Sequence, residues 1–69
     1  MTTKDALLEA ARNARGRAEY FEARAGRRKS QIVTPLREPH ERAAAERKAL
    51  AFTHAAAVIE QVAAEGRWP

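Results

Sequence analysis

The residues of this chain best suited to chemistry are its arginines. Arg17, Tyr20, Arg24 and Arg28 recur at helical spacing, with Arg27 beside them. Guanidinium groups form planar, bidentate contacts with carboxylates and phosphates, and a tyrosine between them offers a ring that can stack. This stripe suits recognition of an acidic surface. Bond-making chemistry is much less well provided. The only serine is Ser30 and the only aspartate is Asp5, far apart in the sequence. A nucleophilic triad needs its members brought together in a concave pocket, and two thin helices leave little room for one. His40 and His54 are fourteen residues apart with no cysteine to join them, so neither a metal site nor a cofactor is expected. Gly16, Gly26 and Gly66 are too scattered to form a phosphate-cradling loop. The expectation is a non-enzymatic protein without a small-molecule substrate.

The elements that carry the stripe are set out by alanine. Leu7, Ala11, Ala14, Ala18, Phe21 and Ala25 follow at steps of four and three, and so do Ala45, Ala49, Phe52, Ala56, Ile59 and Ala63. Each series is a coiled-coil seam. The spacing predicts one helix over about 3–27 and another over about 39–65, joined by a connection over about 28–38. Thr2 and Asp5 have the form of a capping box at the first start. Gly26 is a natural stop for the first helix, Pro39 opens the second and Gly66 ends it. Ile32, Val33 and Leu36 are expected to fold over the end of the bundle. The fold class is therefore all-α: a two-helix antiparallel hairpin forming one domain over residues 1–69.

The two seams differ in width. That of the first helix is narrow and edged by Arg17, Arg24 and Arg28. On the second helix Ala51, Ala55, Val58 and Val62 lie beside the main seam and widen the apolar face to about half the circumference. One neighbour cannot cover such a face. A chain of 69 residues without cysteine also lacks the usual staples of small folds. Dimerisation into a four-helix bundle answers both problems. Leu7, Phe21, Phe52, Ala55, Ala56, Val58, Ile59 and Val62 are the expected core and dimer-packing residues.

Charge separates the two helices in the same sense. The net charge is +4. Residues 12–29 hold seven cations against Glu19 and Glu22, whereas in residues 40–65 four glutamates slightly outweigh Arg42, Arg47 and Lys48. A protein partner with an acidic surface is expected on the first helix, bound through Arg17, Tyr20, Arg24, Arg27, Arg28 and, near the chain end, Trp68. The mode of action would be occlusion of the partner. In composition the chain resembles small alanine- and arginine-rich hairpins of phages and other mobile elements that inhibit host proteins. Nucleic acid is the alternative partner, since architecturally the hairpin is similar to small helical dimers of the plasmid RNA-modulating kind. A structural subunit of a larger assembly is a third reading. A helix-turn-helix unit is disfavoured, because Pro35 would interrupt its recognition helix. With no apolar leader after Met1 and no membrane-length apolar run, a cytoplasmic location is expected.

Overall fold

The computed structural model describes residues 2–66. Two helices, α1 (Thr3–Arg24) and α2 (Pro39–Glu65), make up its regular structure, and no strand occurs among the described residues. They lie side by side as a hairpin. The Cα positions extend 44 × 21 × 13 Å, the dimensions of one layer of two helices.

The start of α1 follows from its first residues. The Asp5 amide donates to the Thr2 hydroxyl at 3.1 Å, and the Thr2 amide donates to the Asp5 carboxylate at 3.2 Å. Two amides that would have no partner inside the helix are thereby satisfied. The end of α1 corrects the expected boundary. The helix stops at Arg24, three residues short of the position expected from spacing. Gly26 takes φ +80, the Arg27 amide donates to the Glu22 carbonyl, and the Gly26 amide donates to that of Ala23. This is a Schellman closure: once Gly26 turns left-handed, Arg27 and its successors leave the helical path. At α2, Pro39 occupies the first turn, where its missing amide costs nothing, and Gly66 closes the last turn with φ 69.

The interior consists of alanine. Ala11, Ala18, Ala23, Ala45, Ala49, Ala56 and Ala63 are the buried residues among those described, with Ala56 sealed completely. Six of them lie on the predicted seams, and their small side chains let the two backbones approach closely. The larger seam residues Leu7, Phe21, Phe52 and Ile59 are half-buried, as is Val62 beside the seam. Phe21 and Phe52 stack nearly parallel across the hairpin, with ring centroids 5.7 Å apart. Thr53, half-buried on α2, satisfies its hydroxyl by donating to the Ala49 carbonyl.

One expectation about packing, that for Ile32, needs correction. Ala55 and Val58, expected in core or dimer packing, are exposed and lie outside the hairpin core, which leaves dimer packing as their remaining place. They sit on the far side of the α2 seam, where α1 cannot reach. Ile32 is 93 % exposed and does not fold over the bundle end, whereas Val33 and Leu36 are half-buried. The Ser30 hydroxyl accepts from the amides of Ile32 and Val33, a tight turn that points Ile32 outward. Behind the same turn Val33 and Ala23 line one cleft, and Ala23 is buried although it lies on the side of α1 away from α2.

Candidate binding face

The two broad faces of the hairpin differ in how their charges are used. On one face Arg15, Arg27 and Arg28 are paired with glutamates. Arg15 of α1 grips Glu60 of α2 with two hydrogen bonds, one from Nε to Oε2 at 2.9 Å. These bonds, followed by the attraction of the opposite charge, hold the Glu60 carboxyl below its usual range and raise the guanidinium of Arg15. Arg27 pairs with Glu46 at 2.7 Å, and Arg28 reaches Glu22 at 3.5 Å and Glu19 at 3.9 Å.

The opposite face, at the turn end of the hairpin, keeps its charge. Arg17 of α1 lies over the Phe52 ring with its guanidinium carbon 5.9 Å from the centroid, and Lys48 of α2 lies over the Phe21 ring at 5.4 Å. Tyr20 stands edge-on to Phe21 at 5.2 Å and stays 49 % exposed. Arg24 donates from Nη1 to the Thr34 carbonyl at 2.6 Å, while the Leu36 amide donates back to the Arg24 carbonyl. Arg17, Arg24 and Lys48 make no ion pair among the described residues. Between Arg24 and Lys48 runs an open cleft of about 340 Å³, lined also by Tyr20, Phe21, Ala44 and Ala45. Glu41 is the single carboxylate lining it.

The expected arginine stripe is thus divided. Arg17, Tyr20 and Arg24 come together on one face. Arg27 and Arg28 follow the Schellman turn and are engaged by glutamates. Trp68 lies outside the described residues. Lys48 is the residue that sequence reasoning missed. Its spacing gives the signal, since it lies four before Phe52 and so on the flank of the α2 seam that meets the Arg17 edge of α1.

Ser30 and Asp5 are both committed to backbone turns, and Asp5 is held below its ordinary carboxyl range by the Thr2 amide and then the Thr2 hydroxyl. His40 and His54 are exposed, and no cluster of metal-ligating side chains occurs among the described residues. His54 lies one turn from Leu50, 64 % exposed, on one side and from Val58, 45 % exposed, on the other. No described helix is long and apolar enough to cross a membrane. Neither protein-family models, nor curated protein sequences, nor solved structures match the chain.

Proposed function

We propose that this chain is a non-enzymatic binding protein that attaches through Arg17, Tyr20 and Arg24 to an acidic surface of another protein and blocks it. One observation carries the reading. Each of these side chains is propped by a neighbour that does not neutralise it: Arg17 by the Phe52 ring, Tyr20 by the Phe21 ring, and Arg24 by the Thr34 carbonyl. Side chains already held in place lose less entropy on binding, and arginine and tyrosine are the residues that most often dominate interface energies. The remaining arginines at the turn, Arg27 and Arg28, already spend their charge on glutamates.

The blocking unit is a homodimer built along α2. The chain exposes 5334 Å², against about 4,300 Å² for a compact monomer of 7.7 kDa. The excess is comparable with the roughly 800 Å² that each partner contributes to a stable interface. A second hairpin along the exposed side of α2 would complete a four-helix bundle and leave the propped arginines at its edges. The alanine- and arginine-rich composition fits a phage or mobile-element product acting on a host factor in the cytoplasm.

The test is affinity capture by the tagged chain with nuclease present, repeated with R17E/R24E. A protein retained by the wild-type chain and lost with the variant is expected. Capture that is indifferent to both arginines would overturn the assignment of this face. Tyr20, exposed and flanked at one turn by Arg17 and Arg24, also favours a second reading in which a base stacks on the ring while the arginines hold phosphates. That reading expects a gel-shifted RNA or DNA complex whose affinity falls linearly with the logarithm of salt. The absence of any complex at low salt removes it.

A further inference from the structure

We infer that the second copy binds antiparallel to the first, in a single register in which Lys48 of each chain meets Glu65 of the other. This rests on the proposal that the protein is a homodimer along α2, and it specifies the geometry of that dimer. Beside the seam that packs on α1, α2 carries a second one. Lys48, Ala51, Ala55, Val58, Val62 and Glu65 follow at steps of three, four, three, four and three. All but the half-buried Val62 are exposed.

The spacing reads the same from either end, so two copies related by a two-fold axis superpose their seams when they run in opposite directions. The side chains along it are then complementary. Ala51 meets Val62, Ala55 meets Val58, and Lys48 meets Glu65, each pair occurring twice. Every small residue faces a larger one, as a close-packed seam requires. Each end of the seam closes on opposite charges.

The competing arrangements are worse on the same grounds. A parallel pair sets Lys48 against Lys48 and Glu65 against Glu65, repulsive at both ends. An antiparallel pair slipped by one heptad puts Lys48 against Val58, or Ala55 against Glu65. Within one chain Lys48 and Glu65 are about 25 Å apart along the helix and cannot pair. Glu65 accepts a hydrogen bond from Gln61 and has no ion pair among the described residues, so its charge is available.

Sedimentation equilibrium of the full chain tests this. K48E and E65K each set like charges together at both ends, and each is expected to weaken the dimer about tenfold. The doubly exchanged K48E/E65K restores opposite pairs and returns the dissociation constant to within about threefold of wild type. Both positions are exposed, and far-ultraviolet circular dichroism verifies that the hairpin stays helical. If either variant loses helicity, oxidation of mixed single-cysteine chains A55C and V58C takes over. The antiparallel register predicts that 55–58 cross-links outnumber 55–55 and 58–58. Unchanged dissociation constants in both charge variants, or a double exchange no tighter than the single ones, would overturn the register while leaving the dimer intact. Wild-type chain that remains monomeric across the micromolar range would overturn the dimer itself.

Discussion

Ala56 and Ala57 are neighbours of identical chemistry with opposite tolerances. Ala56 is completely buried where α2 meets α1, and Ala57 is exposed. Enlarging a side chain in a packed seam forces backbones or rotamers to move and costs about 1–3 kcal/mol. Ala56→Leu is therefore expected to lower the thermal midpoint clearly. Ala57→Leu stays within about 0.5 kcal/mol of the parent, as surface changes usually do. Equal effects in thermal melts would show that the seam is not closely packed. The glycines separate in a similar way. Gly16 sits in the middle of α1 with open space around the position of a side chain, so Gly16→Ala should stabilise by about 0.8–1 kcal/mol through helix propensity alone. Gly26 has φ +80, where an added Cβ is strained, and Gly26→Ala should destabilise by about 1–2 kcal/mol. Denaturant titration of the two variants reads both signs.

At the scale of the elements, α1 and α2 are fastened differently along their length: by the Phe21–Phe52 stack near the turn and by Arg15–Glu60 toward the open end. The second fastening and the capping box depend on carboxylates. Glu60 and Asp5 both titrate below their ordinary values of 4.5 and 3.8 in the folded chain. A lowered folded pKa means that the carboxylate stabilises the fold above the unfolded value and ceases to do so as pH falls through the folded one. Helicity is expected to be level from neutral pH down to about 5 and to fall below about 4. Glu60→Gln should flatten that acid limb, and circular dichroism against pH checks it. Both helices, their starts and their seams could be read from the sequence, because capping residues and heptad spacing are local signals. The path of the connection could not. Where Ile32 points depends on the Ser30 turn, and Ala23 is buried beside a cleft that the connection helps to line through Ser30 and Val33. Likewise the stripe of Arg17, Tyr20, Arg24, Arg27 and Arg28 was visible as a pattern. Its division depended on the Schellman turn and on glutamates distant in sequence, such as Glu46 opposite Arg27.

The whole molecule is a plank one helix thick, and its interior is made of methyl groups. That interior has a calorimetric consequence. The heat capacity released on unfolding scales with apolar surface newly exposed to water, at about 12–15 cal/mol/K per residue for ordinary domains. A core in which every buried residue among those described is alanine has little such surface to give up. The stability curve of an isolated hairpin is therefore shallow and wide, with a gradual melt and only weak sensitivity to cooling. Most of the curvature seen in the assembled protein would come from burying the second seam of α2, so the shape of the melting curve, and not its midpoint alone, should change with protein concentration.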